Sequence, residues 1–402
     1  MGEMGNIYQN STLTIVAASP SQVADGFLST LKKNESAYQN LVKIPLYLDA
    51  KSKLQTLYVG ELAREWYRQP NLEVEPLFSR GWSFQEYLLS SRALAFSSTQ
   101  VSYKCREFYH TLLPLREAHL PVCSPIRWQE GVTGERVDSK EYARIWTHLI
   151  EDYSKRQWTI FEDQLSALAG VAAIFNMACK DKYLAGLWAS VLVKHLCWVE
   201  RRSEKPIFGD EDCDKDMRLP SWSWVSRLYP VDFRRYMDSQ DAKLVDYKVD
   251  LVLDSSPCGP VRGASITLEA RILKGRMLEA KKSTEKDKVL AEPGERELLG
   301  KALLALGNNL YDFKFPFTVR LIYLGHRSPT IYYPHWMMQF LVVQQLSTAL
   351  FVRIGVFEAP TDAPRKGDDW WHLIMDMEKE YITIELLRPR HNTPTQGPQG
   401  GP

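Results

Sequence analysis

The sequence lacks an excess of charge of either sign, and it lacks long apolar runs. Lys and Arg together number 50, and Asp and Glu number 49, among 402 residues. Bulk electrostatics therefore give no reason to expect a nucleic acid or an acidic membrane as a partner. The longest apolar runs, such as Phe340–Val343 and Leu350–Val352, are far shorter than the roughly 20 residues that a membrane-spanning helix needs. We expect no nucleic-acid partner and no membrane span.

Cysteines are also few and widely spaced. The chain has 6 of them, none in a Cys-x-x-Cys pair and none preceded by a signal peptide, which is typical of a reduced intracellular compartment. One cluster, Cys105, His110, His119 and Cys123, contains zinc-ligand residue types, but zinc prefers shorter paired spacings. We interpret these four as scattered core or surface residues and expect no metal.

Common catalytic signatures are missing as well. The sequence contains no Gly-x-Ser-x-Gly, His-Glu-x-x-His or Gly-x-Gly-x-x-Gly motif, which lowers the support for hydrolase, zinc-protease and dinucleotide-binding functions. Residues 294–302 imitate a phosphate loop, but they have the wrong glycine spacing and Ala302 in place of the metal-binding hydroxyl. Residues 210–216 are acidic, but they lack the Gly and the closing Glu of a calcium loop. We expect no bound cofactor.

The most informative run that is present is Ser79–Arg92. Its spacing places Trp82 and Glu86 on one face of a short helix, and Ser79 can cap the start of that helix. The apolar run Ala93–Phe96 comes next and is typical of a buried strand. The run therefore predicts a helix that is held at both ends.

Glu86 is a carboxylate beside a tryptophan, and two explanations stay open. It is either a structural carboxylate paired with Arg80 or Arg92, or the reacting group of a site. Spacing alone favours the ion pair, because structural ionic networks outnumber active sites.

The first part of the chain has the rhythm of an α/β layer. Met4, Ile7 and Tyr8 lie on one side of a predicted amphipathic helix, and residues 13–18 are typical of a strand covered on both faces. Three further predictions complete this part: an exposed strand at 46–57, a short helix beginning at 61–66 and a strand at 101–105.

Between residues 142 and 202 the apolar period becomes helical. Two sets of residues at i, i+3, i+4 and i+7 predict two helices. They are Leu165, Leu168, Ala169 and Ala172, and Trp188, Val191, Leu192 and His195. The second set makes His195 a histidine at the edge of a core rather than a ligand. Farther along, alternation points Trp222 and Trp224 to one face, which suits the seam between the helices and the next part of the chain.

The last part of the chain is rich in β-branched and aromatic residues, which predicts strands. Five strands are expected, at 243–253, 264–273, 317–324, 350–357 and 381–387. Residues 281–297 are predicted to be a charged insertion. Residues 389–402, rich in Pro, Gly, Gln and Thr, are predicted to be a disordered tail.

Two runs and several shorter pieces resemble parts of one known family. The runs are Met4-Gly5-Asn6-Ile7-Tyr8-Gln9-Asn10 leading into Leu13-Thr14-Ile15-Val16-Ala17-Ala18, and Ser79-Arg80-Gly81-Trp82-Ser83-Phe84-Gln85-Glu86-Tyr87-Leu88-Leu89-Ser90-Ser91-Arg92. They look like the second and third signature blocks of the fungal heterokaryon incompatibility (HET) domain. The shorter pieces resemble the C-terminal extension common in HET-domain proteins: Tyr153-Ser154, Asp163–Gly170, Tyr183–Trp188, Pro220–Trp224 and Arg353–Phe357.

The resemblance assigns places to particular residues and also has departures. It makes Tyr8, Arg80, Gln85, Arg92, Trp222 and Trp224 motif or structural residues. The family's first block, a strand of Trp-Ile-Asp-x-x-Cys-Ile type, should precede Met1 and is missing, so the chain resembles a HET protein that is cut off inside the domain. Gly81 also stands where Ala would be more usual.

The predicted fold class is α+β overall, with four parts. They are a partial α/β, TIR-like HET segment at 1–128, a helical subdomain at 129–225, a β-rich region at 226–388 and the tail at 389–402. Two or three subdomains agree with a chain of this length, because single cores stop growing below it.

The resemblance implies a cytoplasmic effector of fungal self/non-self recognition, in which clustering induced by a partner triggers programmed cell death. HET domains have also been compared with TIR domains, whose signalling members cleave NAD with a Glu placed four residues after a Trp. Trp82 and Glu86 share that spacing, which is an analogy of fold and not of activity.

Three functions therefore stay open. An effector or adaptor that works by association, with itself or with a recognition receptor, is favoured because no catalytic set is recognisable. An NAD glycohydrolase would use NAD as its substrate, with Glu86 holding the ribose hydroxyls or stabilising positive charge and Trp82 lining the pocket. In the third case the chain has no function, because it is an inactive fragment of a HET protein.

Overall fold

The computed structural model describes a large part of the chain and divides it into two compact units. The described residues are 4–28, 42–46, 55–59, 72–98, 101–105, 109–111, 139–160, 162–201, 204–207, 219–233, 237–278, 288–291, 298–304, 317–329, 336–345, 351–361, 374 and 377–384. The units are Met1–Trp158 with Ala167–Cys179, and Thr159–Ser166 with Lys180–Pro402. Each is described by itself. The predicted boundaries at residues 128, 225 and 388 stay a prediction, and the predicted tail lies outside the described residues.

The first unit combines helices with a small mixed sheet. Its helices are α1 (Met4–Asn10), α2 (Gly81–Leu89), α3 (Ser139–Tyr153) and most of α4 (Asp163–Cys179). Its strands are β1 (Thr14–Ala17), β2 (Val42–Leu46), β3 (Gln55–Val59), β4 (Ala93–Phe96), β5 (Val101–Lys104) and β6 (Tyr109–Thr111). The three-residue 3₁₀ turns Val23–Asp25 and Leu72–Val74 and the four-residue turn Pro76–Ser79 connect them.

The sheet of this unit confirms the α/β rhythm of the sequence. Strand β1 pairs with β4 in parallel, with Thr14 opposite Ala93. Parallel strands need a long crossover connection rather than a tight turn, and α2 lies in that connection. Strands β5 and β6 extend the sheet by antiparallel pairing. The predicted strands at 13–18, 93–96 and 101–105 are therefore confirmed. The expectation that the first of them is covered on both faces is wrong, because Ile15 of β1 is exposed.

The predicted cap of α2 is wrong. The helix begins at Gly81 after Arg80, and no side chain caps it. Instead of capping, the Ser79 hydroxyl donates to the carbonyl of Pro76 at 2.7 Å. The Gly81 amide donates to the carbonyl of Gln157 at 3.2 Å, so one of the amides that a helix start leaves unpaired already has an acceptor.

Two weaker predictions for this unit have different outcomes. A single strand at 46–57 is wrong in its bounds, because β2 and β3 form an antiparallel pair in which Leu46 lies opposite Gln55. The predicted helix at 61–66 lies outside the described residues.

The helices of the first unit pack closely where they carry glycine. A β-carbon on Gly5 of α1 would lie 3.4 Å from the Leu89 side chain of α2 and 3.5 Å from the α-carbon of Gly170 in α4. Trp146 of α3 and Phe175 of α4 stack edge to face, with ring centroids 5.0 Å apart. The predicted helical stretch is thus confirmed for α3 and α4.

The second unit is dominated by strands. Besides the start of α4 it contains the short helix α5 (Leu192–His195) and the 3₁₀ turns Ala189–Val191 and Trp224–Ser226. Its strands are β7 (Tyr183–Leu184), β8 (Leu187–Trp188), β9 (Val199–Glu200), β10 (Val231–Asp232), β11 (Ser239–Gln240), β12 (Lys243–Leu251), β13 (Val261–Leu278), β14 (Lys288–Ala291), β15 (Leu298–Leu304), β16 (Phe317–Arg327), β17 (Trp336–Gln345), β18 (Phe351–Thr361) and β19 (Glu380–Ile384).

Five of these strands close on themselves. Strand β13 pairs with β16, β16 with β17 and β17 with β18, and β19 pairs with both β18 and β13. Strands β14 and β15 form a second connection between β13 and β18. Strand β12 continues the sheet beyond β13 as its end strand. The mixture of helices with a largely antiparallel sheet confirms the α+β class.

The predicted helix at 188–195 is mostly wrong. Trp188 lies in the β7–β8 hairpin, opposite Tyr183, and α-helix begins only at Leu192. The hairpin turns at Ala185 and Gly186, which have φ of 44° and 99°. The residues of this apolar pattern do lie in the core, because Trp188, Leu192 and His195 are all buried. They do not belong to one helix, because the hairpin turn precedes Trp188.

The β-rich part is confirmed and larger than predicted. The five predicted strands correspond to β12, β13, β16, β18 and β19, whereas β14, β15 and β17 were not predicted. The predicted charged insertion at 281–297 is wrong over Lys288–Ala291, because these residues form strand β14. Residues Met338–Val343 of β17 are buried; a strand covered on both faces has no alternation, which hides it from the pattern. In the described part of the chain, no helix is long and apolar enough to cross a membrane.

Candidate functional site

A cleft in the first unit contains the carboxylate singled out by the sequence. Its volume is about 70 Å³, and residues from α1, β1, the Pro76–Ser79 turn and α2 line it. These residues are Tyr8, Thr14, Ile15, Val16, Leu77, Phe78, Ser83, Glu86 and Tyr87. By about 15 Å³ per water, the cleft has room for about five water molecules.

The local sequence explains why the cleft forms here. Glycine at position 5 lets α1 approach α2 closely, so that Tyr8 comes near the second turn of α2. The amide of Thr14 donates to the carbonyl of Arg92 at 2.9 Å, which holds the start of β1 beside the end of the α2 segment. Two helices and one strand therefore meet around Glu86.

Tyr8 and Glu86 form a hydrogen-bonded pair. The phenolic hydroxyl donates to the carboxylate. Burial raises the pKa of Glu86 above its ordinary value, while the hydrogen bond from Tyr8 and the charge of Arg80 act in the opposite direction. Burial and the Glu86 charge also raise the pKa of Tyr8. The pair is thus a carboxyl group whose proton affinity is above normal, with a tyrosine as its donor.

The structure shows whether Arg80 or Arg92 forms an ion pair with Glu86. Among the described residues Glu86 forms no ion pair, so the arginine pairing that spacing favoured is wrong as a direct contact. Arg80 is exposed and acts on Glu86 only through its charge. Arg92 is exposed as well, and its contact with this region is through its backbone carbonyl.

The other predicted site residue of α2 does not lie with Glu86 in the cleft. Trp82 is half-buried one turn before Glu86, and it is absent from the described residues that line the cleft. Its predicted role as a pocket wall stays a prediction.

Gln85 fixes α2 against α4. Its side-chain oxygen accepts a hydrogen bond from the amide of Gly170 at 2.7 Å, and a β-carbon on Gly170 would come within 2.6 Å of that oxygen. Gln85 is buried and faces away from solvent. The structure thus gives this predicted motif residue a packing contact.

Arg156 contacts two residues of the cleft wall, Phe78 and Ser83. This role was not predicted from the sequence. Its buried guanidinium donates to the carbonyl of Phe78 at 2.7 Å and to the hydroxyl of Ser83 at 3.0 Å. It also lies over the ring of Phe84, 4.9 Å from its centroid. Asp152 is the nearest carboxylate, at 3.8 Å. Only the neighbouring Tyr153-Ser154 of the family resemblance could have drawn attention to it.

Lys104 is a second buried cation that sequence reasoning missed. Its ammonium nitrogen donates to the carbonyl of Tyr87, a residue of the cleft wall, and lies 4.0 Å from the Tyr87 ring centroid. Burial lowers the pKa of Lys104 well below its usual range. Nothing in the sequence distinguishes it from an ordinary lysine at the end of a strand.

Trp222 and Trp224 belong to the second unit and are both fully buried there. They lie in a turn and a 3₁₀ turn rather than in a strand. The Trp224 indole donates to the carbonyl of Gly186 at 2.9 Å, and the carbonyl of Trp222 accepts from the Trp198 indole at 3.0 Å. These contacts make both residues part of the core.

The described residues offer no metal centre. No group of three or more His, Cys, Asp and Glu side chains within them could hold an ion. Of the cluster Cys105, His110, His119 and Cys123, the last two lie outside the described residues and only the backbone of His110 is described.

Together these features describe an α+β protein whose N-terminal α/β layer presents a half-buried tyrosine–glutamate pair in a small cleft. Residues 1–86 match the family model described as Heterokaryon incompatibility protein (HET). The match covers about the N-terminal fifth of the chain, and the resemblance inferred from the two signature runs is confirmed over these residues. No curated protein and no solved structure matches the chain.

Proposed function

We propose that this protein is an effector or adaptor of fungal heterokaryon incompatibility, which acts in the cytoplasm by association and leads to programmed cell death. The match over residues 1–86 supports the link to heterokaryon incompatibility. The TIR-like character of the α/β layer is part of the proposal, because two parallel strands joined through α2 are the arrangement that such a layer requires.

The observation that carries association is an apolar surface around the cleft. Ile7 is 63 % exposed, Leu13 is 45 % exposed and Ile15 is 60 % exposed. They belong to α1, β1 and the turn between them, on either side of Tyr8 and Thr14 of the cleft. Contiguous exposed apolar residues mark interaction sites, and we infer that these three, which lie close together in the sequence, form one surface. We call Ile7, Leu13 and Ile15 the α1–β1 surface.

The size of the cleft also favours association over catalysis. Pockets that bind drug-sized ligands and cofactors have volumes of roughly 300–1,000 Å³, whereas this cleft has about 70 Å³. It admits a small ring or a few water molecules, but not a whole dinucleotide.

One observation favours NAD glycohydrolase as the second candidate. Glu86 has a raised pKa and lines a cleft, and perturbed carboxyl groups in clefts cluster at active sites. In this role, the Glu86 carboxylate would hold the ribose hydroxyls or stabilise the cationic transition state as the bond to nicotinamide breaks. Trp82 would contribute to the pocket wall.

A test in fungal cells separates these functions. The chain is expressed as wild type, as Glu86→Gln and as Ile15→Asp, while viability and cellular NAD are followed. Association predicts that Ile15→Asp abolishes death, that Glu86→Gln preserves it, and that NAD stays constant until cells die. NAD loss that precedes death and disappears in Glu86→Gln would establish the glycohydrolase instead.

Matched control variants keep this test specific. Val23→Asp adds the same charge at a fully exposed apolar residue outside the cleft, and Glu380→Gln removes an exposed carboxylate from the second unit. Both are expected to behave as wild type. Death that is equally lost in Val23→Asp and Ile15→Asp would contradict a specific role of the α1–β1 surface.

A further inference from the structure

The end strand of the large sheet in the second unit has one open edge. Strand β12 pairs antiparallel with β13 over nearly its whole length, from Lys243 opposite Glu269 to Leu251 opposite Val261. Its other edge meets no strand of the described part of the chain. Such an edge presents backbone donors and acceptors to any further strand.

The middle of β12 is exposed on both faces of the sheet. Residues 245–248 are all exposed, and among them Val245 keeps 52 % and Tyr247 keeps 38 % of its surface in contact with solvent. The apolar side chains Val245, Tyr247 and Val249 alternate with Asp246 and Lys248. From Asp246 onward the regular register places Asp246 and Lys248 on one face and Tyr247 and Val249 on the other, whereas Val245 lies at a register shift.

One hydrogen bond shows which way the backbone points at the centre of the strand. The amide of Tyr247 donates to the carboxylate of Asp246, at 2.8 Å, and we infer that this amide points away from β13. In an antiparallel strand, the N–H and C=O of one residue point to the same edge. Tyr247 therefore directs its N–H and its C=O to the open edge, where Asp246 serves as a local acceptor.

The sequence of β12 is complementary to itself about this residue. If two copies pair antiparallel with Tyr247 opposite Tyr247, Asp246 lies opposite Lys248 and Val245 lies opposite Val249. Both charge pairs then have opposite signs, and the apolar residues form one ladder. Cross-strand pairs of these kinds stabilise sheets, and like charges in the same positions destabilise them.

We propose that two copies of this chain associate through β12, antiparallel and with a two-fold axis at Tyr247. The Asp246 carboxylate leaves the Tyr247 amide for Lys248 of the second copy, and the amide donates to the carbonyl of Tyr247 of the second copy. Both copies use the same patch, as closed two-fold dimers do. The sheets of the two copies then become one continuous sheet.

The dimer is expected to be weak and reversible. A register shift between Leu244 and Asp246 interrupts the strand, and such bulges limit edge pairing. The inference rests on the second unit alone and does not depend on the function proposed for the HET segment.

Sedimentation velocity of the purified full chain over a range of concentrations tests the inference. The wild type is expected to pass from monomer to dimer as concentration rises. Asp246→Lys and Lys248→Asp each place like charges opposite one another in both pairs of the dimer, so each alone is expected to weaken dimerisation by about tenfold or more.

Mixing the two variants is the decisive step. In a mixed dimer, Lys at position 246 of one chain faces Asp at position 248 of the other, and the second pair is equally complementary. The mixture is therefore expected to regain the dimer that each variant loses alone. Damaged folding cannot produce this recovery, because both chains keep their substitutions, and a mixture of Asp254→Lys with Lys205→Asp measures any attraction due to net charge alone.

Two control variants change charge by the same amounts elsewhere. Asp254→Lys lies in the turn after β12, and Lys205→Asp lies outside the sheet; both residues are exposed. Each is expected to dimerise as wild type does. A wild-type chain that stays monomeric up to the highest soluble concentration overturns the inference, and so does a dimer that neither variant weakens or that mixing fails to restore.

Discussion

The hydroxyl of Tyr8 donates a hydrogen bond to the carboxylate of Glu86 and thereby joins α1 to α2. The contact links the two sequence runs that resemble the HET family, at positions 78 apart in the chain. Glu86 is thus neither a free carboxylate in a wide pocket nor one member of an arginine ion pair. It is a half-buried acid whose charge is stabilised by one phenol and, more distantly, by Arg80.

Replacing Tyr8 by Phe is expected to raise the pKa of Glu86 further. The hydrogen bond from Tyr8 lowers this pKa at present, and its loss leaves burial as the dominant influence. An NMR titration of the Glu86 side-chain carboxyl carbon measures the change. Tyr381→Phe, at an exposed tyrosine of the second unit, is the control. A Glu86 titration that is the same in Tyr8→Phe and in wild type would show that the bond does not stabilise the carboxylate.

Gly81→Ala is expected to destabilise the first unit by about 1–3 kcal/mol. A β-carbon at this position would lie 2.2 Å from the ring of Trp158, which is buried. Urea unfolding measures the loss, and the second substitution Trp158→Leu should recover part of it by removing the ring. Gly5→Ala is a matched control, because its β-carbon would meet neighbours only at 3.4 Å and beyond. Equal stability of Gly81→Ala and Gly5→Ala would disprove the steric argument.

Gln85→Ala is expected to cost about 1–3 kcal/mol of unfolding free energy, because a buried amide loses an acceptor and a cavity opens between α2 and α4. The acceptor bond to Gly170 measures 2.7 Å. Hydrogen exchange at the Gly170 amide should speed up with the same substitution. Gln9→Ala, on α1 and only half-buried, provides the comparison. Unaltered exchange at Gly170 would show that Gln85 does not hold α4.

Lowering the pH is expected to destabilise the second unit through His195. Burial lowers the pKa of His195 from 6.5 to about 4, with the charge of Asp181 raising it and that of Lys194 lowering it. Between these values the unfolded chain binds a proton at His195 and the folded chain does not. Stability therefore falls as pH drops through this window, by roughly 2 kcal/mol between pH 7 and pH 5.

The His195 contribution can be isolated by substitution. Between pH 7 and pH 5, the unfolding free energy of His195→Gln should fall by less than that of wild type, and the difference should be about the stated amount. Urea unfolding of both chains at the two pH values measures it. His326→Gln is the comparison, because the His326 side chain is less buried. Burial lowers the pKa of His326, and the charges of Asp238 and Asp241 oppose this change. An identical pH dependence in wild type and His195→Gln would contradict the assignment.

Local pattern was sufficient for much of the fold. The helix around Trp82–Leu89 and the strand Ala93–Phe96 follow from apolar spacing over a few residues, and the structure confirms both. Strand β17 and the hairpin at Ala185–Gly186 did not follow, because a strand buried on both faces has no alternation and a turn with positive φ is set by its surroundings. The departure at Gly81 has a similar origin, since only the ring of Trp158 excludes the more usual alanine.

The sequence by itself determined the α+β class and the family resemblance and singled out Glu86 as a candidate, because these depend on residue types and on short spacings. Tertiary structure decided that Glu86 takes its hydrogen bond from Tyr8, that Gln85 packs on Gly170, and that Arg156 and Lys104 are buried beside the cleft. These contacts join residues far apart in the chain, and which distant residues meet depends on how the helices and strands pack rather than on any local pattern.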